Sequence, residues 1–239
     1  MSVLKGEGTV EILFGSTNVP SGSRSVNAYL SRPDRQGEWP TVVLLPGAWG
    51  VTSSSRDICR RLSRHGLAVI APDLYRGDQP DRKTSIADAR AARHGLAPAR
   101  VESDLTLVID FITNRAGLWS NAESGFGVIG TGADGPVASR IAARHEGIAA
   151  LALLDAAADA DLLGMVRGPM LGLSGRDDPS VPVDEVLVTR ELVPHLEWVV
   201  YRTEAGFWDD HLEEYDIEAA GDVLDRLVVF FTERLPEVR

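Results

Sequence analysis

The chain has 239 residues, a formal net charge of −11 and 44% hydrophobic residues. That size and apolar content suit one α/β domain over 1–239, and the acidic balance excludes nucleic acid and anionic membrane surfaces as partners, since both need a basic patch. A single cysteine, Cys59, excludes an internal disulfide, and no apolar run reaches the length of a membrane span, so a cytoplasmic protein with no secretory leader is expected.

Residues 8–15 and 25–31 alternate apolar and polar, as an antiparallel hairpin at a sheet edge would, with a Pro/Gly/Ser turn over 19–23. The continuous apolar run 41–45 reads as a strand buried on both faces. A helix over 53–64 follows, carrying Cys59 on its apolar face as a core residue. Residues 67–71 form the next buried strand. The stretch 78–96 is polar and Arg-rich, with a short helix around Ile86 to Arg93.

Val101, Leu105, Val108 and Ile112 recur at helical spacing and predict a helix over 99–115. Phe126 to Thr131 is a strand turning sharply into a helix that runs to about His145. Further strands are expected at 148–154, 169–173 and 197–202, with helices at 185–193 and 217–234. Strands alternating with helices predict a mostly parallel, doubly wound sheet with helices on both faces and an antiparallel N-terminal edge. Sites in such sheets lie at the carboxyl ends of the strands, here loops 46–52, 72–80, 131–135, 174–182 and 203–214.

Four of these loops resemble the dienelactone hydrolase family of the α/β-hydrolase fold. Leu45-Pro46-Gly47-Ala48-Trp49-Gly50 sits where that family has a His-Glu-x-Phe-Gly loop. Ala71-Pro72-Asp73-Leu74-Tyr75 matches its Pro-Asp-Leu-Tyr strand end. Gly130-Thr131-Gly132-Ala133-Asp134-Gly135 aligns with its Gly-x-Cys-x-Gly-Gly nucleophile elbow, and Gly175-Arg176-Asp177-Asp178-Pro179-Ser180-Val181-Pro182 resembles its acid loop.

The departures bear on chemistry. The family nucleophile, Cys or Ser, falls on Gly132, and its histidine falls on Phe207 in Ala205-Gly206-Phe207-Trp208. Of the triad only the acid, Asp178, remains. Without an Oγ or Sγ at the apex there is no acyl-enzyme chemistry there. The resemblance implies that the amides of Ala48 and Ala133 are the oxyanion donors; these need no side chain.

Several residues carry two readings each. Asp178 is a relic in a hydrogen-bonded loop or a reassigned acid or base. Asp134 is an unorthodox nucleophile or an anion at a helix N-terminus. Replacing a small residue of the elbow, it also suggests a relaxed turn. Asp155 is a second pocket carboxylate or a strand-end turn residue. His211 is a base folded back over the pocket or a surface residue. Trp49, Phe207 and Trp208 line an apolar pocket or plug it. Tyr75 and Arg76 sit at the rim, with Arg76 as a candidate anion anchor.

No cofactor and no metal are expected, because no cluster of His, Cys or Asp has ligand spacing and no glycine loop cradles phosphate. The expected partner is a small-molecule substrate or ligand, and the chain is a monomer or homodimer. Members of this fold lacking the triad act as epimerases and cyclases in specialised metabolism. The resemblance therefore implies a non-hydrolytic enzyme of isomerase, epimerase, cyclase or lyase type. An inactive pseudohydrolase and a hydrolase of esters or lactones with an unorthodox nucleophile are the alternatives.

Overall fold

The protein was analysed as a computed structural model, which describes residues 8–21, 24–114, 118–122, 125–157 and 159–235. The strands are β1 (Ile12–Ser21), β2 (Arg24–Pro33), β3 (Thr41–Leu45), β4 (Ala68–Pro72), β5 (Phe126–Thr131), β6 (Ile148–Leu154), β7 (Met170–Gly175) and β8 (Leu196–Tyr201). They form one sheet in the order β1-β2-β4-β3-β5-β6-β7-β8. The β1–β2 and β2–β4 pairs are antiparallel and the rest are parallel.

The helices are α1 (Ser53–Ser63), α2 (Ile86–His94), α3 (Pro98–Thr113), α4 (Gly135–Arg144), α5 (Ala160–Gly164), α6 (Val183–Leu192) and α7 (Ile217–Arg234). Side chains of a strand alternate between faces, so a strand covered on both sides must be apolar throughout. β3 shows this directly. Val42 and Leu44 pack with Ile58 and Leu62 of α1 and Val223 and Leu227 of α7. Val43 and Leu45 pack with Leu105 and Val108 of α3 and Ala138 of α4 on the opposite face. β5 adds close approach: a Cβ at Gly127 would meet Phe231 of α7 at 2.5 Å, and one at Gly130 would meet Ala138 of α4 at 2.5 Å.

Two boundaries differ from the sequence expectation. The hairpin pairs Asn18 with Asn27 and Val19 with Val26, so its strands run further than 8–15 and 25–31 and Pro20 lies inside β1. β1 is an edge strand, where a proline without an N–H leaves no ladder bond unmade. α5 was not anticipated, since five residues are too few for a period to register; Asp159 caps it, its Oδ1 accepting the Leu162 amide at 3.1 Å. Among the described residues no helix is long and apolar enough to cross a membrane.

A buried ion pair ties the centre of the sheet to α2. Asp134 has no exposed surface, and its carboxylate pairs with the guanidinium of Arg93, itself buried. The other oxygen, Oδ2, accepts the Gly47 amide at 2.9 Å. Burial pushes the Asp134 carboxyl above its usual range, opposed by the Arg93 charge. Removing one partner of such a pair strands the other charge, at a cost of about 3–5 kcal/mol. A carboxyl raised in the folded state binds its proton more tightly than in the unfolded chain, so its contribution to stability falls as pH rises. Arg93→Ala is therefore expected to lose about 3–5 kcal/mol at pH 8 in urea unfolding, and a smaller amount at pH 5, where the stranded Asp134 takes up a proton.

Candidate active site

β5 delivers the chain into the turn that organises the site. Gly132 has φ +49°, the left-handed conformation that a nucleophile elbow needs, followed by a 3-10 turn over Gly132–Asp134. The relaxed turn expected from Asp134 is absent. The tight contacts fall on neighbouring glycines instead: a Cβ at Gly135 would meet Ala156 at 2.5 Å. At the apex, by contrast, a Cβ on Gly132 would come no closer than 4.0 Å to another atom, the Asp155 carbonyl oxygen. The position has room for a side chain and has none.

Above the apex lies a cavity of about 490 Å³. Its wall comes from the loops following β3 (Gly47, Ala48, Trp49), β5 (Thr131, Gly132, Ala133), β6 (Asp155) and β8 (Gly206, Trp208). Asp177 and Pro179 of the loop after β7 also line it. Thr131 Oγ1 donates to the Leu45 carbonyl at 3.0 Å, which fixes the β3 and β5 ends side by side.

The candidate residues separate into two groups. Ala48, Trp49, Gly132, Ala133, Trp208 and His211 line the cavity. The tryptophans form wall rather than plug. Trp49 lies under Arg82, 4.9 Å from ring centroid to guanidinium carbon, and its indole N–H donates to the Thr84 carbonyl at 3.4 Å.

Asp134, Asp178, Tyr75, Arg76 and Phe207 are not on its wall. Asp134 is the N-cap residue of α4 by position but makes no side-chain cap bond; its oxygens are taken by Arg93 and the Gly47 amide. Tyr75 is buried and donates to the Ala48 carbonyl at 2.5 Å, so it braces the loop behind the cavity. Arg76 does not anchor an anion: it makes a bidentate pair with Asp104, at 3.1 and 2.6 Å. Phe207 is fully buried against Tyr201, with centroids 5.0 Å apart. Asp178 is buried; its Oδ1 accepts the Ser180 amide and hydroxyl, while Oδ2 has no hydrogen-bond partner among the described residues.

The group the sequence underweighted is Asp155. It sits just after β6 with φ +47° and lines the cavity. Oδ1 accepts the Gly175 amide at 3.0 Å; Oδ2 accepts the Gly206 amide at 2.7 Å and the Trp208 indole N–H at 3.0 Å. Burial pushes its carboxyl up to about 6, against three hydrogen bonds that favour the charged form and with the Asp178 charge adding to the rise. Trp208 thus gives Asp155 an N–H of the kind an imidazole would give a triad acid. An Asp at the end of a predicted strand was the available sequence signal, but only the fold brings Trp208 to it, 53 residues away.

Arg82 and Arg90, from the Arg-rich stretch, also line the cavity. Arg82 donates to both oxygens of Asp209, at 2.9 and 2.8 Å, and Arg90 to the Ser180 hydroxyl at 3.0 Å. Against these two cations stand six carboxylates on the same wall: Asp155, Asp177, Glu204, Asp209, Glu213 and Glu214. The cavity is net negative.

Asp209, Asp210 and His211 bring three potential ligand atoms within 4.8 Å, a cluster of consecutive residues not anticipated from spacing. Asp209 is already held by Arg82 and by the Ser54 hydroxyl at 2.6 Å, so its donors serve the protein rather than a cation. Cys59 is fully buried and burial pushes its thiol up to about 12, consistent with packing alone.

The dienelactone hydrolase family matches residues 26–235. A putative carboxymethylenebutenolidase of Yersinia pestis is 27% identical over 92% of this chain and 88% of its own length. A protein of the same name from Escherichia coli K12 is 28% identical over 92% and 87%. The crystal structure of a putative dienelactone hydrolase from Klebsiella pneumoniae superposes with a TM-score of 0.82 at 26% identity, covering 93% of this chain and 99% of that one. The chain belongs to the dienelactone hydrolase family and has its α/β-hydrolase fold.

Proposed function

We propose that the protein is a small-molecule enzyme that polarises a carbonyl and moves a proton at the adjacent carbon, without a covalent acyl intermediate. The observation that carries this reading is that Asp155 lines the same cavity as the bare Gly132 apex, Ala48 and Ala133. Backbone donors stabilise an enolate or oxyanion without a nucleophile. A carboxyl at about 6 is matched to proton transfer near neutrality. The reaction class is then isomerase, epimerase, cyclase or lyase.

The open cavity favours an enzyme over an inactive pseudohydrolase, which would have its aromatics packed into that space. The burial of Asp134 and its pairing with Arg93 speak against it as a nucleophile. The relatives' name points to butenolides as a first compound class. The negative wall disfavours a carboxylated member, since a desolvated anion would face six carboxylates. Uncharged butenolides and related enol lactones are the proposed substrates.

Exchange of the proton α to the carbonyl for solvent deuterium, followed by NMR over a panel of neutral lactones, tests the proposal. The base is the ionised form, so with a carboxyl at about 6 the exchange rate is expected to rise with pH through about 6 and level off above 7. Asp155→Asn is expected to lower the plateau by about 100-fold or more. No exchange with any panel member, or exchange that survives Asp155→Asn, contradicts the reading.

The apex provides a second test. Gly132→Ser places a hydroxyl where there is room for it, at about 1–2 kcal/mol of left-handed backbone strain. The variant is expected to fold, with a melting temperature a few degrees lower, and to hydrolyse p-nitrophenyl acetate no faster than the parent, because Phe207, buried off the cavity wall, stands where the family motif has its histidine.

A further inference from the structure

We propose that the pocket bounded by α1, α7 and the loop over 208–217 is a second ligand site, for a small organic cation with an apolar body. Its volume is about 420 Å³, inside the range of ~300–1,000 Å³ that small-molecule sites occupy. Trp208 is the one residue it shares with the cavity above Gly132. Binding in it does not depend on proton transfer at Asp155.

The pocket follows from a stripe on α7. Ile217, Ala220, Gly221, Leu224 and Asp225 recur at helical spacing and all line it, and α1 supplies Asp57, Ile58 and Arg61. Ile58, Ala220 and Val223 are buried and form the floor. Tyr215 and Ile217 are exposed and form the edge.

Gly221 stands in the middle of that stripe, inside a helix and without a positive φ. A Cβ there would meet no atom within 4 Å, whereas Gly127 and Gly130 are held to glycine by contacts at 2.5 Å. Neither backbone geometry nor packing calls for glycine at 221, and glycine is among the poorest residues for a helix interior. What the missing side chain leaves is open space on the pocket wall.

The charges select the occupant. Arg61 is the one cation on the wall, and its Nε is paired with Asp57 Oδ2 at 2.7 Å. Asp210 and Asp225 remain. The hydrogen bond with His211 holds the Asp210 carboxyl below its usual range, so it stays ionised. Asp225 has no hydrogen bond or ion pair among the described residues. An ammonium group is attracted by both carboxylates, and an anion is repelled by both. The buried floor takes an apolar body, and Trp208 and Tyr215 add aromatic surface, which also attracts cations.

The test is a titration of the full chain with para-fluorophenethylamine, para-fluorophenethyl alcohol and para-fluorophenylacetate, followed by fluorine NMR. The amine is expected to bind at least about tenfold tighter than the alcohol, and the acetate not to bind. Gly221→Trp puts an indole into the open space. It is expected to fold, with an unchanged circular dichroism spectrum, and to weaken the amine at least about tenfold. Asp225→Lys is expected to weaken it by about the same factor, through charge alone. The cavity above Gly132 is also negative, and these two variants tell the sites apart. No binding of the amine, equal binding of the alcohol or acetate, or undiminished amine affinity in folded Gly221→Trp or in Asp225→Lys would overturn the proposal.

Discussion

The bond from the Gly47 amide to the buried carboxylate of Asp134 is the contact on which the site depends. It joins the loop after β3 to the turn after β5, the two segments whose backbones face each other across the Gly132 apex. Arg93 compensates the charge and so recruits α2 to the same point. A fully buried carboxylate costs several kcal/mol unless paired and hydrogen-bonded, so these partners stand or fall together. The tyrosine behind them, Tyr75, grips the Ala48 carbonyl and fixes the orientation of the Ala48–Trp49 peptide.

With the loops held in this way, the space above Gly132 is open rather than collapsed. The aromatic residues that could have filled it do other work. Phe207 joins the core beneath β8, and Trp208 turns its N–H to Asp155. Asp178 keeps an unpartnered buried oxygen, while Asp155 accepts three hydrogen bonds and lines the cavity.

The architecture was legible in the sequence because each parallel strand is apolar on both faces and each helix has a period. The runs 41–45, 126–131 and 148–154 could hardly be anything else. The site was less legible for a specific reason. Its decisive contacts join residues far apart in the chain: Arg93 with Asp134, Arg82 with Asp209, Trp208 with Asp155. Motif alignment placed Tyr75 and Arg76 at the rim, yet alignment carries no information on side-chain direction, and both turn to protein partners. The stretch 78–96 showed only its arginines, not which of them reaches the cavity.

The central claim is that Asp155 is a titrating group on an accessible cavity. Its carboxyl can be followed directly by carbon-13 NMR of protein labelled at aspartate, with Asp155→Asn to assign the signal. The account predicts a midpoint near 6, well above an ordinary carboxyl, and a shift of that midpoint when a neutral lactone occupies the cavity. A midpoint near 4, indifferent to ligand, would contradict it.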